Sequence, residues 1–170
     1  GIYVPRFYDV EYNEDGTVKK YTKNYEGAPD QVQRCIISDL DHADYPTEVL
    51  VPLIEVVHDR AVVETMRGCT RGCRFCQAGM LYRPIRPRNV EYLKELAKEM
   101  IRSTGHEEIS LSSLSSSDYL DLQELVYYLI DEFKKQGVNI SLPSLRIDAF
   151  ALDVMSKVQD IKKSSLTFAP

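Results

Sequence analysis

The run Arg67-Gly68-Cys69-Thr70-Arg71-Gly72-Cys73-Arg74-Phe75-Cys76 gathers three of the chain's four cysteines into one short loop, with gaps of three residues and then two. Iron and inorganic sulfide prefer thiolate ligands, and a three-plus-two spacing lets one backbone curl around a corner of an inorganic cluster. The spacing therefore points to a 4Fe-4S cluster bound by Cys69, Cys73 and Cys76, with one iron left without a protein ligand. An open coordination position is what separates a catalytic metal centre from a closed structural one. Gly68 and Gly72 permit tight turns that would aim the thiols at one point. Arg67, Arg71 and Arg74 would favour thiolate over thiol and offset the cluster's negative charge. Phe75 offers an aromatic face to a planar ligand group, or serves equally well as a core aromatic.

A zinc site competes for the same thiols, with Cys35 or His58 as a fourth ligand. Zinc sites usually come as two separated Cys-x2-Cys-like pairs, and here one pair is missing. Cys35, apart from the loop, reads as a small buried apolar residue. His42, His58 and His106 are scattered and read as structural or solvated.

The elements that must position this loop follow from periodicity. Residues 2–12 and 17–22 are aromatic and β-branched runs flanking Asp15-Gly16, a hairpin signal. A further strand is expected within Gln31–Leu40, around Cys35-Ile36-Ile37. From Arg60 the pattern alternates: a buried strand to Arg67, then a helix capped by Asn89, with apolar positions Val90, Leu93, Leu96, Ala97, Met100 and Ile101, closed by Gly105. A second strand spans Glu108–Leu114. A second helix runs from about Asp118, with Leu122, Leu125, Val126, Leu129, Ile130 and Phe133 on one side. Val138–Leu142 reads as a third strand, Ala149–Gln159 as a third helix and Ser165–Phe168 as a fourth strand. This rhythm implies an α/β fold with parallel strands.

In parallel barrels ligands sit beyond the C-terminal ends of the strands. Three loops fall there: the cysteine loop, the serine loop Ser112–Asp118 and the segment Pro143–Asp148. In the second, Ser117 or Asp118 would cap the following helix, or the exposed amides and hydroxyls would bind a polar ligand. In the third, Arg146 offers a fork for a carboxylate, or joins a surface ion pair.

The match Cys69, Cys73, Phe75, Cys76 to Cys-x3-Cys-x-aromatic-Cys resembles the radical SAM superfamily. Residues 51–87, including Ile54–Arg60 and Gln77–Pro84, look more narrowly like a bacterial group with an upstream cobalamin-binding domain. The resemblance implies a partial (βα) barrel and a cluster whose free iron chelates the amino and carboxylate groups of S-adenosylmethionine. One electron from that cluster would cleave the ligand to methionine and a 5′-deoxyadenosyl radical. It further implies Phe75 near the adenine, the serine loop (Ser115, Ser116, Ser117) near the methionyl amino group and Arg146 near its carboxylate. Relatives carry a Gly-Gly-Glu type segment where this chain has serines, so that transfer is by position. An external one-electron donor of flavodoxin or ferredoxin type is implied, and the substrate is left open between RNA and a small molecule. No Asp-x-His-x-x-Gly motif occurs, so cobalamin is expected only through an upstream domain. The rival from another class is a non-catalytic zinc-binding or electron-transfer module.

A chain of 170 residues with net charge −5 can bury one core but is short for a full barrel of about 250 residues. Residues 1–59 read as a β-rich linker or adaptor and residues 60–170 as the first part of a truncated barrel, with an open edge at the fourth strand. Mixed charges along the chain show no nucleic-acid footprint. No apolar run approaches the roughly 20 residues needed to cross a bilayer, and grouped unpaired thiols suit a reducing cytoplasm.

Overall fold

Asp15-Gly16 turns the chain as its sequence requires: Gly16 has φ 80, and β1 (Tyr8–Tyr12) pairs antiparallel with β2 (Val18–Lys23). The register slips between Glu11 and Tyr12. Stacked rings, Tyr8 on Tyr21 at 4.8 Å and Phe7 on Tyr25 at 4.7 Å, supply the interior of this small unit. The computed structural model describes residues 1–146, 154, 156–158 and 168–169. By their contacts the residues form two compact units, Gly1–Ile37 and Ser38–Pro170.

The strand expected within Gln31–Leu40 does not form, since no strand in the first unit pairs with that segment. Without a ladder Ile36 and Ile37 stay exposed, while Leu40 at the end of the segment is buried. Cys35, expected to be buried, is exposed, and its Sγ accepts a hydrogen bond from the Gly1 ammonium at 2.7 Å.

In the second unit, β3 (Ala61–Glu64) opens the alternating part of the chain. The single strand expected over residues 60–67 is split at Thr65, because β4 (Met66–Arg67) leaves the main sheet. The chain continues through α1 (Gln77–Leu81) to β5 (Arg86–Pro87), which pairs antiparallel with β4. Next come α2 (Val90–Thr104), β6 (Glu108–Ser112), α3 (Leu122–Phe133) and β7 (Asn139–Ser141). The order β3-β6-β7 is parallel throughout, with Ala61 opposite Ile109 and Ile109 opposite Ile140. This is the mixed α/β arrangement expected, preceded by a β-rich segment.

The apolar periods explain the layers. Leu93, Leu96, Ala97, Met100 and Ile101 of α2 are buried with Leu125, Val126, Leu129 and Phe133 of α3 and with Ala61, Val63, Ile109, Leu111 and Ile140 of the strands. Val62, read as buried, is 43% exposed, because β3 covers only its alternate positions. At the open side of β3, the Tyr45 hydroxyl donates to the Val62 carbonyl (2.8 Å) and accepts from the Glu64 amide (3.2 Å). That hydroxyl satisfies two backbone groups that a neighbouring strand would otherwise take.

The second helix begins later than expected, at Leu122, after a 3-10 turn over Ser116–Asp118. The segment read as a loop around Arg146 contains β8 (Leu145–Arg146), which pairs in parallel with β9 (Phe168–Ala169). Among the described strands β9 has β8 as its neighbour. Most of the third helix expected over Ala149–Gln159, and the fourth strand before Phe168, lie outside the described residues; Val154 and Val158 are helical and buried.

Asn89 begins α2 as its sequence suggests, its side-chain oxygen accepting from the Glu91 amide at 2.9 Å. Asn89→Ala should lower the stability of the second unit by about 1 kcal/mol with an unchanged denaturant slope. Urea unfolding followed by helix circular dichroism measures both.

Candidate cofactor site

The cysteine loop is an excursion from the sheet whose base is closed by β4 and β5, Met66 opposite Pro87 and Arg67 opposite Arg86. Gly68 leaves β4 with φ 95, and a Cβ there would lie 2.7 Å from the Tyr82 carbonyl oxygen and 2.9 Å from that of Pro84. Only glycine fits so close to returning backbone. Gly72 needs no such freedom: a Cβ there meets open space.

All three loop thiols are free, Cys69 buried and Cys73 and Cys76 half-buried. The Arg71 amide donates to Cys69 Sγ at 3.4 Å, and the Gly79 amide donates to Cys76 Sγ at 3.4 Å, so Cys76 caps α1. The Cys76 amide donates to the Cys73 carbonyl at 3.1 Å. Amide donors on sulfur favour thiolate and tune sulfur in iron-sulfur ligation. Beside Cys69 a hollow of about 600 Å³ is lined by Thr70, Arg83, Pro84 and Ile85. Free thiols, amides on two sulfurs and open space alongside are a donor set that suits a thiolate-ligated cluster.

The thiols are not, however, aimed at one point. Among the described residues no three His, Cys, Asp or Glu side chains come together closely enough to hold a single metal ion. Two sulfurs instead accept from nearby backbone amides.

The arginines of the loop also differ from their expected part. Arg67 forks onto Glu64 at 2.6 and 2.9 Å, and Arg71 forks onto Asp118, with Nη2 2.6 Å from Oδ1 and Nε 3.0 Å from Oδ2. Their charges answer carboxylates first. Arg74 is exposed. Phe75 is 90% exposed, which removes the core-aromatic reading.

The serine loop meets the cysteine loop at Asp118. Its expected capping role is not taken up: the α3 cap position is Asp121, without a side-chain cap bond. Ser115 Oγ donates to Asp118 at 2.7 Å, and Ser117 Oγ accepts from the Arg146 amide at 2.8 Å. Ser116 is fully buried, its hydroxyl 3.0 Å from that of Ser113 and its amide bonded to the Ser144 carbonyl at 3.1 Å. Ser115, Ser116, Ser117 and Arg146 are thus brought together with Arg71, at the C-terminal ends of the strands. A second hollow of about 310 Å³ opens there, lined by Glu64, Met66, Arg67, Gly68, Tyr82, Ser112, Ser113 and Leu114.

Arg71 holds the Asp118 carboxyl below the usual carboxylate range; partial burial opposes this and the Ser115 hydroxyl assists. Arg67 does the same for Glu64. Sequence reasoning passed over Asp118 as a partner and Glu64 altogether. The only local signal for Asp118 was its place after three serines, which reads equally as a helix start.

A parallel βα sheet carrying a three-thiol loop at its C-terminal end, beside open space, belongs to the class of cofactor-binding α/β proteins. A family model described as the radical SAM superfamily matches residues 63–168, more than half of the chain. The chain belongs to the radical SAM superfamily. It is also 33% identical over 162 residues to an uncharacterized protein of Methanocaldococcus jannaschii, an alignment covering 94% of this chain and 33% of that protein. The chain therefore spans about a third of the length of that curated relative. Membership implies, in general terms, an iron-sulfur cluster and S-adenosylmethionine. Among the described residues no helix is long and apolar enough to cross a membrane.

Two outcomes follow. Gly68→Ala should destabilise the loop by about 2 kcal/mol or more, whereas Gly72→Ala is tolerated, as thermal melts will register. For Asp118, a depressed folded pKa means its contribution is complete above the unfolded value near 3.9 and fades as pH falls through the folded value. The stability gap between the native chain and Asp118→Asn should be constant from about pH 7 to 5 and shrink below about pH 4. A gap that widened on acidification would contradict the assignment.

Proposed function

We propose that the chain is the cluster-bearing part of a radical SAM enzyme, with Cys69, Cys73 and Cys76 holding a 4Fe-4S cluster by three corners. The observation that carries this reading is the loop of three free thiols leaving the C-terminal end of the sheet, inside the matched residues 63–168. When bound and reduced, such a cluster supplies the electron that splits S-adenosylmethionine into methionine and a 5′-deoxyadenosyl radical.

This chain's own residues would bind and orient. Phe75, exposed and adjacent to the last cysteine, would offer a ring face to adenine. The serine loop, Ser115, Ser116 and Ser117, would offer hydroxyl and carbonyl oxygens as acceptors to the methionyl amino group. Arg146 would supply a cation near the carboxylate. An external one-electron donor of flavodoxin or ferredoxin type would deliver the reducing equivalent. The substrate would be an RNA or a small molecule met at the same strand ends, in the cytoplasm. Cobalamin, where used, would enter from a separate domain.

The test is anaerobic reconstitution with iron and sulfide, then reduction and electron paramagnetic resonance with and without S-adenosylmethionine. The expected result is about four irons per chain, a signal altered by S-adenosylmethionine, and 5′-deoxyadenosine as product. Replacing Cys69, Cys73 or Cys76 by alanine should abolish cluster uptake, and Cys35→Ala should leave it intact. Uptake of one zinc ion per chain, with no response to S-adenosylmethionine, would reject the enzymatic reading in favour of a structural metal module.

A further inference from the structure

We propose that Asp118 is a positioning residue that holds the cysteine loop against the serine loop through Arg71. Arg71 lies between the first two thiols and is anchored three ways. Its amide donates to Cys69 Sγ at 3.4 Å, its carbonyl accepts from Arg83 at 2.9 Å, and its guanidinium grips Asp118 at 2.6, 3.0 and 3.2 Å. Turning the backbone between Cys69 and Cys73 would break that grip.

The other end of the tie is set firmly. The Asp118 side chain is 10% exposed and also accepts from Ser115 Oγ, while Ser115 itself is 2% exposed. Ser116 and Ser117 are bonded in turn to the Ser144 carbonyl and the Arg146 amide. Exposed ion pairs contribute little, and the Arg71 side chain is 37% exposed, so water weakens the tie from that side. A forked pair on a carboxylate with a second donor, largely out of water, belongs to the stronger kind. Lysine could not reproduce it, having no fork.

The tie sets where Cys69 stands relative to the serine loop before any cofactor arrives. It rests on the proposed function only in treating the cysteine loop as a cofactor loop; the tether itself is made of protein atoms alone.

The experiment uses reduced, metal-free full chain. Alkylation of each cysteine by iodoacetamide is followed by mass spectrometry, with hydrogen exchange of peptides covering residues 69–76 and 112–118. Asp118→Asn keeps the side-chain shape and should speed alkylation of Cys69 about tenfold and loosen exchange in both peptides. Arg71→Lys should do the same. The double variant should react no faster than either single one, because both remove one interaction. Cys35, exposed and in the other unit, is the internal standard and should not change. Unaltered Cys69 rates in both single variants, or multiplicative effects in the double variant, would overturn the tether. If Asp118→Asn melts globally, Arg71→Lys decides by the same rates. Native protein that accepts no cluster would reject the functional reading while the alkylation rates still judge the tether; native protein that accepts one, with unchanged variant rates, would reject the tether alone.

Discussion

The second unit is built around a guanidinium kept out of water. Arg88 is 2% exposed, and removing such a charge from solvent costs several kcal/mol unless its surroundings answer it. They do so from several directions. Arg88 donates to the Leu40 carbonyl, lies 3.7 Å from the Glu64 carboxylate, and sits 4.9 Å from the Tyr45 ring centroid and 5.5 Å from that of Tyr92. Its own amide donates to the Thr65 carbonyl, and its carbonyl accepts from the Tyr119 hydroxyl, each at 2.9 Å. Among the described residues its Nε is left without an acceptor. One residue thus joins the segment around Leu40 and Tyr45, the end of β3, the start of α2 and the approach to α3.

From this anchor the charge pattern at the strand ends follows. Glu64 answers both Arg67 and Arg88, and Asp118 answers Arg71, so carboxylates on or after the parallel strands capture the arginines around the cysteine loop. The loop is then fixed at its base by β4 and β5 and at its middle by Asp118. Its thiols remain unpaired with one another, and those of Cys69 and Cys76 are bonded to local amides. A rigid frame around free sulfur is a reasonable arrangement for a cofactor that supplies the difficult chemistry while the protein orients it.

Placing the chain in the radical SAM superfamily agrees with this geometry at the level of the fold. The matched stretch begins at Val63, within β3, and takes in the cysteine loop, both amphipathic helices and the later strands. The hairpin unit lies outside the matched stretch, and its exposed strand β2 has no covering layer of its own.

What could be read directly from the residues was local. Leu93, Leu96, Ala97, Met100 and Ile101 recur at helical spacing, Asn89 can cap, and Gly105 can turn left-handed, so α2 was legible within one turn at each end. The hairpin at Asp15-Gly16 and the three-thiol spacing were legible for the same reason, since each depends on neighbours in the chain. Tertiary structure alone decided the rest. Arg71 and Asp118 lie 47 positions apart, as do Thr65 and Ser112, and no local pattern signals such a pairing. Among the described residues no packed layer meets Cys35 or Phe75, and burial is a property of what arrives on the other side. Residue type and spacing set which chemistry is available; the meeting of distant loops sets where the groups that perform it can stand.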